Sequence, residues 1–519
     1  MTGEPPTAET VSTLLEDREL VIVSNRQPYS HEYDDDGNDW EGDDGDGRGD
    51  RDGITVQRPA GGLTSALDPV VQSAGGTWVA WASGDADDEV TDENGRVGVP
   101  PESPAYDLRR VRLSDKQVDG YYYGYSNQVL WPICHVDPAK MNADSDFWKQ
   151  YRSANRAFAD AVVEETDDES VVWFQDYHLA LAPRMVREER DAFCMQFWHI
   201  PWPSWDTFQT CPQYEHLLDG LLANDLLAFH THRYCQNFLD CAAMIPDTMV
   251  DRATRSIVYD GRRTFVRSFP LGIDADYRRE LADSEDATAF WREFRERHDL
   301  GETLAVGVER LDYTKGIPER LAALEEFWET RPEWRERFTY VQKASESRSR
   351  IPEYRELQAE VESEIERLND RFGTDDWTPV VYLNKFLPPE GLAALYREAD
   401  LAIVSPRRDG MNLVVKEFVA SQVDELGVLV LSELAGASEE LGDEAVSVHP
   451  HDTPGFADAI ERALSLPESE RARRMRDLGR QVRSNDVYAW MTAQFRTVEA
   501  IQRGRDVAAR SVQRQRYEQ

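Results

Sequence analysis

The chain has 519 residues and a formal net charge of −40, from 98 Asp and Glu against 58 Lys and Arg. That length favours two large domains over one, and an acid excess with no offsetting basic stripe excludes nucleic acid as a partner. No run approaches the ~20 apolar residues of a membrane span, and the start, MTGEPPTAETVSTLLEDRE, lacks the basic and apolar regions of a signal peptide. A soluble, cytoplasmic protein without membrane contact is expected.

Only seven of the cations are lysines, at 116, 140, 149, 315, 343, 385 and 416. With the acid excess, this balance resembles that of proteins adapted to molar intracellular salt, where screening relieves self-repulsion. The five cysteines (134, 194, 211, 235, 241) include no C-x-x-C pair and read as reduced thiols. The ten histidines show no H-E-x-x-H, and His230-Thr231-His232 reads as a strand end, so no metal site is expected.

In chain order, residues 1–17 read as a mobile tail, followed by a strand in ELVIVSNR (19–26). HEYDDDGNDWEGDDGDGRGDRDG, 31–53, carries eleven acids, two arginines and many glycines, too little apolar surface to fold alone, and reads as a solvated acidic loop. Its spacing does not fit a calcium loop. RPAGGLTSAL (58–67) then supplies a glycine turn before a helix, separated from its strand by the acidic insertion.

Apolar strand-like runs alternating with helical periodicity follow at 76–83, 170–178, 193–201 and 225–231. The alternation restarts after 263–274, with runs at 303–312, 338–344, 379–385, 399–407 and 427–433. Such runs predict parallel sheets covered on both faces. The expected fold class is α/β, two doubly wound Rossmann-like domains over 18–270 and 271–485 facing a central cleft, with a helical segment over 486–519. Ligands of open α/β sheets bind beyond the carboxyl ends of the strands. There the chain carries Ser24-Asn25-Arg26, Gln175-Asp176-Tyr177-His178, His199-Ile200-Pro201, ERLDYTKG (309–316) and RRDGMN (407–412).

DGMNLVVKE, 409–417, follows an apolar strand and opens a helix, so its first backbone N–H groups can receive an anion such as a diphosphate. Glu417 lies on roughly the same helix face, where a carboxylate can take a ribose diol. Arg310 and Lys315 leave a strand just before another helix and can neutralise charge on a departing diphosphate.

SNR, PAGGL, YYGYSNQVLWP (122–132), QDYHL, FWHIPWP, ERLDYTKG and RDGMNLVVKE appear in the order and spacing of the trehalose-6-phosphate synthase family. The chain resembles these retaining nucleotide-sugar glycosyltransferases of GT-B architecture over about 18–490. The resemblance implies transfer of glucose from a nucleoside-diphosphate glucose, with UDP-glucose the first expectation, to glucose 6-phosphate. The product would be α,α-trehalose 6-phosphate, formed with retention and serving trehalose biosynthesis.

By resemblance, the donor would be bound by Arg310, Lys315, Glu417 and the segment Asp409, Gly410, Met411, Asn412, Leu413, Val414, Val415 and Lys416. Leu387 would lie near the base, His199 near the donor sugar, and Gly61 and Gly62 would let backbone approach the diphosphate. The acceptor would meet Arg26, Tyr122, Trp131, Asp176 and Arg348. Arg310, Lys315, His199 and Asp176 are the expected catalytic groups.

No side chain stands out as a covalent nucleophile. The family resemblance implies front-face departure, with the leaving phosphate assisting deprotonation of the acceptor and neither cofactor nor metal required. KASESRSR (343–350) departs from the proline-containing family pattern and weakens the Arg348 carry-over. No phosphatase-type D-x-D-G-T/V pair is found. Glucosylglycerol-phosphate synthase, a silent sugar-phosphate sensor and a sugar phosphorylase stand as alternatives, and homo-oligomerisation stays open.

Overall fold

The computed structural model describes residues 7–15, 18–34, 53–58 and 63–517. The chain divides into two compact units. The first comprises Met1–His199, Pro203–Phe269 and Tyr488–Gln519, and the second Ile200–Trp202 and Pro270–Val487.

In the first unit the strands are β1 (Leu20–Ser24), β2 (Ser30–Tyr33), β3 (Ile54–Gln57), β4 (Thr77–Trp81), β5 (Arg96–Val99), β6 (Tyr106–Val111), β7 (Val171–Gln175), β8 (Phe193–Trp198), β9 (Leu226–Phe229), β10 (Met249–Asp251), β11 (Ser256–Tyr259) and β12 (Arg262–Ser268). Ten of them form one sheet in the order β10-β11-β12-β9-β8-β7-β1-β4-β6-β5. The pairs from β12 through β6 are parallel, whereas β5, β10 and β11 add antiparallel edges. Every residue of β1, β7, β8 and β9 is buried, as apolar runs covered by helices on both faces require.

The remaining strands of this unit, β2 and β3, form an antiparallel hairpin, with Tyr33 paired to Ile54. The acidic insertion therefore begins after a strand that includes residues 31–33, a correction to its expected start, while 35–52 lie outside the described residues. The expected tail is corrected as well. Ala8–Thr13 is a helix that contacts the helix Leu63–Ala74, because Val11 and Leu15, one helical turn apart, are buried.

The segment expected to stand apart after 485 is the helix Val487–Tyr517. Its Met491, Phe495 and Val498 recur at helical spacing and are buried. Trp490 and Phe495 pack against Trp173 of β7, at 5.4 and 5.3 Å between ring centroids. These late residues thus complete the cover of the first sheet.

The second unit holds β13 (Thr303–Arg310), β14 (Phe338–Ser345), β15 (Val380–Leu383), β16 (Leu401–Val404), β17 (Val428–Ser432) and β18 (Val446–Val448). They pair in parallel in the order β15-β14-β13-β16-β17-β18. A core of Val306, Val341, Val404, Val415, Phe418 and Leu429 fills one face.

Each sheet has a point where its connections diverge. The chain runs from β1 outward to β4 and later sets β7 on the other side of β1; likewise β13 leads to β14 and β15 on one side, with β16 opening the other. Loops leaving neighbouring strands there part in opposite directions, creating a crevice at the carboxyl ends.

Candidate functional site

At the β1/β7 divergence Arg26 is exposed, immediately after buried Ser24 and Asn25. Ser24 Oγ donates to the Arg26 carbonyl at 2.6 Å and accepts the Trp78 indole N–H at 2.8 Å, pinning the turn. The loop beyond is held by buried Asp87, which accepts from Gln27 Nε2 at 2.6 Å and from the His31 backbone N–H at 2.9 Å. Arg110 Nη2 lies 2.9 Å from the same carboxylate. Burial would push the Asp87 carboxyl up, but hydrogen bonds from His31 and Gln27 and the charge of Arg110 hold it below its ordinary value.

Asp176 follows β7 with φ of 68° and ψ of 179°, a strained backbone conformation that residues other than glycine rarely adopt. Its backbone N–H donates to Phe197 O at 2.7 Å, and its Oδ1 accepts the His199 backbone N–H at 3.0 Å. His199, just past β8, has Nε2 2.9 Å from Gln175 Oε1. Burial, and secondarily nearby His230, push the imidazole well below its ordinary pKa, which disfavours its charged form.

YYGYSNQVLWP forms most of a π-helix, Asp119–Leu130, continued by a turn of α-helix from Trp131. π-Turns are rare and concentrate at functional sites. Asn127 is buried in this stretch; its Nδ2 donates to Tyr122 O at 2.7 Å and its Oδ1 accepts from the Tyr177 hydroxyl at 2.9 Å. The Tyr122 ring stacks on His178 at 5.8 Å and stays half-buried. Trp131 is only 4 % exposed, with its ring 4.1 Å from that of His135 and 5.9 Å from that of Tyr177.

At the β13/β16 divergence Arg310 ends β13, and Lys315 follows in a short 3-10 turn. Lys315 Nζ contacts Asp409 Oδ2 at 2.6 Å. Asp409 also accepts the Gly410 N–H at 2.9 Å and Asn412 Nδ2 at 3.1 Å, which folds the DGMN loop back over its own carboxylate. Gly316 has φ of 70°, and a Cβ there would lie 2.1 Å from the Ser405 carbonyl oxygen. Only glycine allows the two loops to meet so closely, and Arg407 N donates to Thr314 O at 2.8 Å across the same seam.

The helix runs Val414–Ser421, about four residues later than the opening expected at DGMN, because Asp409–Asn412 form a loop; no side chain caps its first N–H groups. Glu417 is engaged by Arg278 Nη2 at 2.9 Å and by the Tyr396 hydroxyl at 3.2 Å. Burial raises its pKa, against the opposing pull of Arg278. The adjacent Lys416 is fully buried, its ammonium 2.6 Å from Glu440, so only its backbone remains for a ligand.

Arg348 lies in the second unit with φ of 54°, its Nη1 3.0 Å from Asp312 Oδ2 and 2.6 Å from the Tyr354 hydroxyl. This pair is buried, at 4 % and 0 % side-chain exposure. Burial would raise the Asp312 carboxyl, yet Arg348, Arg310 and Lys315 together bring it down to about 2.

Arg26, Tyr122, Trp131, Asp176 and His199 thus fall in the first unit, and Arg310, Lys315, Arg348, Leu387 and 409–417 in the second. Leu387 is partly buried and packs against the core of the second unit. Gly61 and Gly62 lie outside the described residues. The sequence assigned no role to Asp312, Asn127, Gln175 or Arg278. The first three sit inside quoted motifs, where an uncharged or acidic neighbour drew less notice than the cations; Arg278 stands on a helix with no strand-end signal. Among the described residues no group of three or more His, Cys, Asp and Glu could hold a metal ion, and no helix is long and apolar enough to cross a membrane.

Comparison with known proteins gives concordant results. The model of glycosyltransferase family 20 matches residues 18–500. A bifunctional trehalose-6-phosphate synthase/phosphatase of Thermoproteus tenax is 38 % identical over 458 residues, covering 84 % of this chain and 60 % of that longer protein. The UDP-forming α,α-trehalose-phosphate synthase of Schizosaccharomyces pombe is 33 % identical over 491 residues, 93 % of this chain and 91 % of its own. Among solved structures, a UDP-forming α,α-trehalose-phosphate synthase from Burkholderia xenovorans in complex with glucose 6-phosphate superposes with a TM-score of 0.80 at 31 % identity. The match covers 93 % of this chain and all of the other.

Proposed function

Because the chain belongs to glycosyltransferase family 20, we propose that it transfers glucose from UDP-glucose to glucose 6-phosphate, giving α,α-trehalose 6-phosphate with retention. The observation that carries this reading is the placement of chemistry at both divergence points. Arg310, Lys315 and an uncapped helix start gather around β13/β16, and Arg26, Asp176 and Tyr122 around β1/β7. The curated relatives named UDP-forming synthases support UDP as the leaving nucleotide, and the Burkholderia complex supports glucose 6-phosphate as acceptor.

In this reading the diphosphate lies on the N–H groups at the start of Val414–Ser421, where the helix dipole and the absence of a side-chain cap favour an anion. Arg310 and Lys315 meet the charge that grows on the diphosphate as the bond from the donor's anomeric carbon breaks. Asp409 holds the Lys315 ammonium in place at 2.6 Å. Glu417, oriented by Arg278 and Tyr396, takes the ribose hydroxyls with its remaining lone pairs.

On the acceptor, Arg26 grips the phosphate, Tyr122 offers a ring face to the pyranose, Trp131 backs it, and Asp176 orients a hydroxyl. The acceptor's anomeric oxygen bonds to the donor carbon on the face the diphosphate leaves. Its proton passes to the departing phosphate oxygen, so no enzyme base is consumed. Positioning and electrostatics carry the barrier reduction.

The test is incubation with glucose 6-phosphate and a panel of UDP-, GDP- and ADP-glucose, with the product identified by NMR. α,α-Trehalose 6-phosphate formed fastest from UDP-glucose is expected. Faster transfer to glycerol 3-phosphate, or turnover with neither acceptor, would refute the assignment.

A further inference from the structure

Gln175 and Asp176 are consecutive residues at the end of β7, and both hold His199. Asp176 Oδ1 accepts the His199 backbone N–H at 3.0 Å, while Gln175 Oε1 lies 2.9 Å from His199 Nε2. The first contact fixes where the residue stands and the second fixes the rotation of its ring. Gln175 is itself buried at the strand end, in register with Phe197, whose ring packs 4.5 Å from the imidazole. The His230 and Trp490 rings lie at 5.3 and 6.4 Å between ring centroids, and His199 stays partly exposed.

We propose that Gln175 is a positioning residue that holds His199 as the neutral Nε2–H tautomer, presenting Nδ1 as a hydrogen-bond acceptor to a hydroxyl of the donor sugar. The inference rests on the reading of His199 as a donor-sugar contact. Its chemistry follows from the partner. An amide oxygen has no proton to give, so the proton between the two groups belongs to Nε2 and the lone pair to Nδ1. An amide also carries no charge, so it orients the ring without stabilising an imidazolium as a carboxylate would.

The titratable groups facing the ring are Asp176, whose Oδ1 is turned to the His199 backbone N–H, and His230. Burial in this setting, with His230 adding to it, already disfavours a charged ring. A charged His199 would offer two donors and no acceptor, and would place a cation beside the donor sugar, where positive charge develops in the reaction. The choice of glutamine at 175 keeps the ring a neutral acceptor across the working pH range.

The experiment uses the full chain labelled with ¹⁵N-histidine, the His199 signals being assigned by their loss in His199→Ala. The wild type should show the Nε2–H pattern, unchanged between about pH 6 and 8.5, with a flat donor KM over that range. In Gln175→Glu the carboxylate should raise the ring's pKa. Nδ1 then gains a proton as pH falls, and the donor KM should rise on the order of tenfold at the acid end and recover at the alkaline end. Gln175→Met, which keeps the volume, should raise the donor KM about tenfold at every pH with acceptor KM unchanged.

A wild-type ring protonated on Nδ1, or a Gln175→Glu enzyme whose donor KM ignores pH, would overturn the proposal. If His199→Ala leaves the donor KM untouched, the donor-sugar reading fails instead, and the NMR pattern alone decides the tautomer.

Discussion

Asp312 illustrates how one residue can serve charges it does not itself expose. It is wholly buried, accepts from the Thr314 N–H and hydroxyl at 3.0 and 2.8 Å, and pairs with Arg348. Because its folded pKa, about 2, lies below its ordinary 3.8, its stabilisation is present above pH ~4 and is lost as pH falls through about 2. The shift corresponds to roughly 2 kcal/mol. Urea midpoints of the wild type and Asp312→Asn should therefore differ most near neutrality and converge towards pH ~2; a gap that does not narrow would contradict the assignment. For the cations Asp312 helps to hold, Arg310→Ala and Lys315→Ala should lower kcat on the order of 10²-fold, since both meet charge that grows as the diphosphate leaves. Steady-state kinetics decide: a rise in KM alone would mean that ground and transition states are bound equally.

At the scale of elements, the π-helix Asp119–Leu130 depends on close approach to the helix Ser145–Glu164. A Cβ at Gly124 would lie 2.5 Å from the Phe147 ring. Gly124→Ala should cost about 1–3 kcal/mol in urea unfolding and raise the acceptor KM by shifting Tyr122. Unaltered stability would show that Phe147 can swing aside. The strands were legible because buried parallel strands are written as unbroken apolar runs: β1, β7, β8, β13, β16 and β17 all fall within the runs read from the sequence. The π-helix was not, since YYGYSNQVL has no strong period of its own and its register is set by what it packs against. Of the site, the cationic positions at strand ends were legible by residue type. That Lys416 turns to Glu440, and Arg348 to Asp312, depends on partners 24 and 36 residues away, which no local pattern encodes.

Over the whole molecule, the net charge of −40 argues for dependence on salt. Melting temperature and activity should both rise between about 0.1 M and ~3 M KCl as self-repulsion is screened; an enzyme equally stable and active at the low end would rule this out. Trp490→Ala should remove the contact with Trp173 and destabilise the first unit by about 3 kcal/mol or more, measured by urea unfolding. The same helix has a bearing on biogenesis. The first unit takes its last structural residues from beyond Tyr488, after the entire second unit has been made. A ribosome releasing residues 18–269 has therefore released a sheet whose Trp173 and Phe197 still lack their cover, Trp490. The nascent chain must carry that bare aromatic surface through the synthesis of some two hundred further residues. The N-terminal half should thus be the more dependent on chaperones during translation, although it emerges first.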